Sequence, residues 1–141
     1  MNLGKMVSIF CNNLDGIIVN IEKLTENNME NLYIDVKIKY LAKHLDETHD
    51  RIKYKIINFK RMELSVDAQT SYYDMGIIKK MQLSVIDAEI GFDHSLLINV
   101  WNRTISRGKL YIWADYQNDI KIYDQNNNEI EYSAFNNIVA R

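Results

Sequence analysis

The sequence predicts a mainly β domain, an antiparallel sandwich first and a closed barrel second. It has a short N-terminal helix and, as an option, a short C-terminal one. Three observations lead there. Apolar residues recur with a period of two from Leu32 through Ile122, the spacing that puts one strand face on a core and the other in water. Polar turns rich in Asn, Asp and Gly separate the runs at short intervals. No helical stretch long enough to cross between parallel strands lies among them, which argues against a doubly wound sheet.

Leu3, Met6, Val7, Phe10 and Leu14 fall at three- and four-residue spacing and predict the first helix, ended by Asn12, Asn13 and the Asp15-Gly16 pair. Ile17, Val19 and Ile21 predict the first strand of a hairpin that turns at 26–31. Leu32, Ile34, Val36, Ile38 and Tyr40 form the clearest strand, interleaved with Asp35, Lys37 and Lys39. The polar segment 44–50 connects it to Ile52, Tyr54 and Ile56, where a phase slip at Ile56-Ile57 reads as a β-bulge. Met62, Leu64 and Val66 follow, then a loop from Ala68 to Gly76. Met81, Leu83 and Val85 begin a long strand that slips at Val85-Ile86, continues with Ile86, Ala88 and Ile90, and ends at Gly91. Further strands carry Leu96, Ile98 and Val100, then Leu110, Ile112 and Ala114, then Ile120 and Ile122, and last Ile130 and Tyr132. Ala134, Phe135, Ile138 and Val139 suit a final helical turn. That makes eight or nine strands in one domain spanning residues 1–141.

The length of 141 residues is ordinary for one domain, and a fold of this size buries about two-thirds of its unfolded surface. A hydrophobic share of 47% with 26% charged residues excludes a disordered chain. The formal charge of −2 lacks the positive excess that counterion release requires, which argues against nucleic acid. Cys11 is the single cysteine, so no intramolecular disulfide forms and the lone thiol reads as a small buried hydrophobe. The apolar stretch Met6–Cys11 is shorter than a signal-peptide core and no run is long enough to span a bilayer, so a cytoplasmic location is expected. Proline is missing and glycine occurs five times, which leaves turns to Asn, Asp and Gly and leaves no place for a glycine-rich phosphate loop.

Four constellations bear on chemistry. His44, Asp46, Glu47, His49 and Asp50 are metal-ligand types, but two histidines five apart share neither a helix face nor a strand face, so a solvated turn is the reading. Asp93-His94-Ser95 places triad residue types side by side, whereas a triad draws its members from separate elements. Asp87 and Glu89 share one strand face, as alternation alone produces. Lys37 and Lys39, with Lys53, Lys55 and Arg51, form two basic strand faces that would repel if paired. Glu63 and Asp67 on the next strand are the expected neutralisers. No cofactor, no metal site and no catalytic residue is expected, and mutation of His44, His49 or His94 is expected to leave function intact.

The aromatic residues carry the functional expectation. With Leu110 and Ile112 facing the core, Tyr111 and Trp113 face the other way, Tyr116 follows, and Trp101 ends the neighbouring strand. Such rings serve as interface anchors or stack on sugars; the competing reading is a second core, covered by the N-terminal helix. Asp115 and Asp119 add acid beside them and suit a basic partner. No stretch carries a family signature. In general character, as a small, mildly acidic, disulfide-free chain without a catalytic motif, it resembles bacterial immunity or antitoxin-type proteins, which cover a toxin's active site. That resemblance implies stoichiometric binding of a basic toxin. The alternative is a sandwich or barrel that binds a carbohydrate or small molecule through its aromatic face. Homo-oligomerisation stays open.

Overall fold

The computed structural model describes residues 3–11, 16–38, 50–115, 120–131 and 133–134. Within them the chain runs α1 (Leu3–Cys11), β1 (Ile17–Glu26), β2 (Met29–Lys37), β3 (Arg51–Ile56), β4 (Phe59–Ser65), β5 (Ser71–Tyr72), α2 (Met75–Lys80), β6 (Ser84–Ile90), a 3-10 turn at Phe92–His94, β7 (Leu96–Asn102), β8 (Ser106–Ala114), β9 (Lys121–Tyr123) and β10 (Glu129–Ile130). The strands form one antiparallel sheet in the order β10-β9-β3-β2-β1-β6-β7-β8-β4-β5, and it does not close into a barrel.

The connection from β3 to β4 sets the shape. Only Ile57 and Asn58 separate the two strands, yet β3 stands third and β4 ninth in the sheet. A two-residue link spans at most about 11 Å. Six strand spacings in a flat sheet would need about 29 Å. The sheet therefore folds over, and the two halves face each other across one core. The seam between the halves is thin: β1 and β6 pair only at Ile17 and Ser84, with backbone bonds from Ile18 N to Leu83 O and from Val85 N to Gly16 O, both 2.8 Å. Both seam strands carry a bulge beside this pairing, at Ile18/Asn20 and at Val85/Asp87, which supplies the local bend the seam requires.

Alternation fills the core from both sides. Leu32, Ile34 and Val36 of β2, Ile52, Tyr54 and Ile56 of β3, Leu64 of β4, Leu96, Ile98 and Val100 of β7, and Leu110 and Ile112 of β8 are buried in one cluster. Leu3 and Val7 of α1 and Ile78 of α2 pack against it. At Gly108 a methyl group would meet Leu64 Cδ1 and Ile105 Cδ1 at 3.1 Å, so the missing side chain lets the core close there.

Several expectations change. In β1 the buried residues are Ile18 and Ile21, with Ile17 and Val19 half-buried, because the bulge shifts the phase. The slip at Ile56-Ile57 is the corner between the two halves and not a bulge. The slip at Val85-Ile86 is a bulge, but Ile90 is exposed at the rim. The segment read as a loop up to Gly76 contains β5 and the start of α2, a mid-chain helix capped by Asp74, whose Oδ1 accepts from Gly76 N and Ile77 N. Tyr40, the His44–His49 cluster and nearly all of the C-terminal helical segment lie outside the described residues.

Asn31 holds the corner. It is buried, its Oδ1 accepts from Asn58 N at 3.2 Å, and its Nδ2 donates to Glu26 Oε1 at 3.2 Å. Replacing Asn31 with Ala removes the acceptor for a backbone donor at the fold's sharpest bend. The expected loss is about 1–3 kcal/mol, read as a lower denaturant midpoint. A midpoint equal to wild type would show that the corner does not need this bond.

Candidate functional site

Folding the sheet over leaves two outer faces, and their chemistry differs. On the face of β1, β2 and β3 the charges satisfy one another. Lys55 Nζ lies 3.7 Å from Glu26 and over the Tyr33 ring, Lys37 Nζ lies 3.6 Å from Asp50, Arg51 Nε lies 3.7 Å from Asp50, and Lys23 Nζ lies 3.9 Å from Glu30. Lys53 faces Asp35 across the ladder and donates to Asn127 Oδ1 at 3.1 Å. The two basic strand faces are thus neutralised by acids of β1, β2 and Asp50, not by Glu63 and Asp67, because β4 is not a neighbour of β3. Lys37 and Arg51 form the like-charge pair the sequence anticipates, with Asp50 beside both.

The titration of this face follows from its contacts. Tyr33 donates to Glu26 at 2.5 Å, and that bond, with Asn31 and Lys55, holds the Glu26 carboxyl below its ordinary range. Burial first, and then Glu26, pushes the Tyr33 phenol up. Asp35, unlike Glu26, is held above its ordinary range: burial raises it in spite of Lys53 and the Asn20 amide.

The outer face of β6, β7, β8 and β4 reads as rows across the ladder. Trp113 of β8 faces Arg61 of β4. In the next row Glu89, Leu97, Tyr111 and Glu63 lie side by side, then Asp87, Asn99, Lys109 and Ser65, then Ser84, Trp101 and Arg107. At the Trp113 end the rings form a cluster. Tyr111 and Trp113 stack with centroids 5.6 Å apart, Phe92 leans on Tyr111 at 4.9 Å and on Trp113 at 5.4 Å, and the Arg61 guanidinium sits 4.1 Å over the Trp113 ring. Ring pairs of this kind add about 0.5–1.5 kcal/mol beyond area burial.

The expected site residues separate accordingly. Trp113 is only 8% exposed, covered by Phe92 and Arg61, and its buried Nε1 has no acceptor among the described residues. Tyr111 is half-buried and Trp101 is 43% exposed. Asp115 is half-buried at the end of β8, its N–H donating to Asn58 O; Tyr116 and Asp119 lie outside the described residues. The described part of α1 packs on β6 and β7 with Leu3 and Val7 against the main core.

Sequence reading missed Phe92, which is 54% exposed, because Gly91–Ser95 reads as a plain turn. That turn is specialised. Asp93 and His94 both have φ of 55°, a conformation unfavourable for residues with a Cβ. Ser95 Oγ donates to Phe92 O at 2.9 Å, which uses the hydroxyl within the turn, and His94 is exposed. Sequence reading also did not single out Arg61, Arg107 and Lys109, although Arg107 and Lys109 continue the β8 alternation that places Tyr111 and Trp113 outward.

Among the described residues no group of three or more His, Cys, Asp or Glu is arranged to hold a metal ion, and no helix is long and apolar enough to cross a membrane.

Two outcomes check this account. A methyl group at Gly91 would lie 2.5 Å from Ser95 Oγ and 3.2 Å from the Tyr111 ring. Gly91→Ala is expected to cost about 1–3 kcal/mol by overpacking and to raise the solvent accessibility of Trp113, seen as red-shifted fluorescence; an unshifted spectrum at unchanged stability would contradict it. For Asp35, a raised folded pKa means that ionisation disfavours the fold, so its contribution is best below the unfolded pKa and is lost as pH rises. Asp35→Asn should raise the midpoint at pH 7 and leave it unchanged at pH 3. Equal shifts at both pH values would remove burial of charge as the cause.

Compared with known proteins, the chain matches no family model, no curated protein and no solved structure. The functional reading rests on the geometry of this outer face.

Proposed function

We propose that this chain is a non-catalytic protein-binding module that engages its partner through the outer face of β6, β7, β8 and β4. One observation carries the reading: Phe92 projects at 54% exposure from a cluster of stacked rings that holds its own geometry, and Trp101 stands 43% exposed farther along the same face. Tryptophan and other rigid rings dominate binding energy because they bury large areas with few rotatable bonds. The opposite outer face, laced with ion pairs, offers no such anchors.

The partner class that suits the chain's charge is a basic protein, and the immunity-type role, neutralising a basic toxin by stoichiometric cover, is the specific form proposed. The net charge of −2 supports it. Asp115 at the ring end of β8 also suits a basic partner, whereas Asp124, Glu129 and Glu131 lie with β9 and β10 in the other half of the sheet. Acids at a rim speed encounter with a cationic surface, more strongly at low salt.

A second reading is a sugar or small molecule lying on the same rings, favoured by the near-parallel stack of Tyr111 and Trp113 at 20°. One experiment separates the two. A partner is captured from the source cells, identified, and its affinity measured for wild type, Trp101→Ala and Phe92→Ala. Both side chains are largely exposed, so both variants should keep the fold. Each is expected to weaken binding about thirtyfold or more, while Leu24→Ala and Ile77→Ala, exposed apolar residues elsewhere, leave it unchanged. Unchanged affinity in the ring variants would sink the proposed face. Heat protection by a sugar, with no protein captured, would replace the first reading by the second.

A further inference from the structure

We propose that the trough beside Tyr111 is a separate binding site for a small anionic molecule carrying a phosphate or a carboxylate. The trough has a volume of about 560 Å³, within the range of small-molecule sites. The chain after β4, from Ser65 to Ala68, forms one wall and Asp87 of β6 the other; Asn99, Lys109 and Tyr111 lie on the strands between them, and Arg107 also lines it.

The sign of the ligand follows from which charged side chains already have hydrogen-bond partners, although hydrogen bonds to neutral donors orient the acids without cancelling their charge. Two acids and two cations line the trough. Asp87 Oδ1 accepts from Asn99 Nδ2 at 2.6 Å. Asp67 Oδ1 accepts from Gln69 N at 2.7 Å and Thr70 N at 2.8 Å, closing its own turn. Both carboxylates thus serve the fold. The cations do not. Lys109 faces Asn99 and Ser65 across the ladder, both neutral, and Arg107 faces Trp101. Neither makes an ion pair within 4 Å among the described residues, whereas Lys23, Lys37, Arg51 and Lys55 on the opposite outer face all do.

Arg107 and Lys109 lie two residues apart on one strand face, about 7 Å from Cα to Cα, and their long side chains can converge on a single anion. The guanidinium offers a planar fork and the ammonium a compact point charge, the pair of donors that phosphate and carboxylate oxygens take best. Trp101 stands next to Arg107 with an exposed ring, so a ligand with its own ring adjoining the anion gains a stacking surface. The trough shares Tyr111 and the neighbouring Trp101 with the proposed partner face, but the site is inferred from its own lining and not from that reading, and it lies away from Asp115. Arg107 begins β8 and Asp115 follows its end, about 27 Å away along the strand.

The test is a titration of the full chain followed by amide chemical shifts, with adenosine monophosphate, inorganic phosphate and succinate each taken to about 10 mM, a weak-affinity ceiling. The expected result is shift changes at the amides of residues 66–68, 99 and 107–111. Arg107→Gln and Lys109→Gln should each weaken the response about tenfold, and Lys53→Gln, on the other face, should leave it unchanged. All three side chains are on outer faces, so thermal melting should confirm intact folds. A stronger response to the phosphate probes assigns a phosphate ligand and a stronger response to succinate a carboxylate; either supports the site. Silence at the trough amides for all three probes overturns it, as does a response that survives both glutamine substitutions.

Discussion

The two-residue corner at Ile57 and Asn58 is the constraint on which the rest of the structure depends. It joins the third and ninth strands of one sheet, which no flat sheet allows. Asn58 turns the chain with φ of 57°, a conformation asparagine tolerates better than most residues with a Cβ. Its N–H is taken by Asn31 from β2 and its carbonyl by Asp115 N–H from the end of β8. The corner is thereby tied to both halves of the sheet at once. Once it is made, the apolar faces of the two halves are opposed, and hydrophobic burial of β2, β3, β7 and β8 follows.

The same constraint produces the contrast between the outer faces. A folded-over sheet has to solvate two surfaces. The strands of one half alternate apolar with charged residues, and their register brings Lys53 to Asp35 and Lys55 to Tyr33. Those charges cancel locally, and individual exposed pairs add little stability. In the other half, β8 alternates its core residues with Arg107, Lys109, Tyr111 and Trp113. Nothing in folding requires rings there, since the core is complete on the other side. Trp113 is covered by Phe92 and Arg61, while Phe92 and Trp101 keep apolar surface exposed.

Much of this was legible in the sequence, for reasons that can be assigned to residues. Period-two runs such as Leu32–Val36 and Ile52–Ile56 gave the strands because a half-buried ladder leaves no other pattern. The outward phase of Tyr111 and Trp113 followed from Leu110 and Ile112. What failed was whatever depends on non-local geometry. The Ile56-Ile57 slip has the same local signature whether it is a bulge or a corner, and only the pairing of β4 with β8 decides. The neutralisers of the basic faces were misassigned for the same reason, since adjacency in sequence did not mean adjacency in the sheet. The helix Met75–Lys80 spans six residues, too few to display a 3.6-residue period. Glycine misled as well: the left-handed turn positions belong to Asn27, Asn28, Asn58 and Asn127 and to four other non-glycine residues, while Gly91 and Gly108 serve close approach.

The ring cluster also shows why strain at Gly91–Ser95 is worth keeping. Two successive left-handed residues, Asp93 and His94, cost stability in a turn that a plainer sequence would close more easily. What the turn achieves is the placement of Phe92 against Tyr111 and Trp113. Ordering a rotamer-rich surface during association costs about 0.5–1.5 kcal/mol per side chain. On this face the ordering is done during folding: the Trp113 ring is clamped between Phe92 and Arg61, and Tyr111 is stacked on it. Under the proposed reading, association would start from this ordered cluster with Phe92 exposed at its edge. A left-handed turn that sets an exposed ring against two others is the feature on which the proposed recognition surface rests.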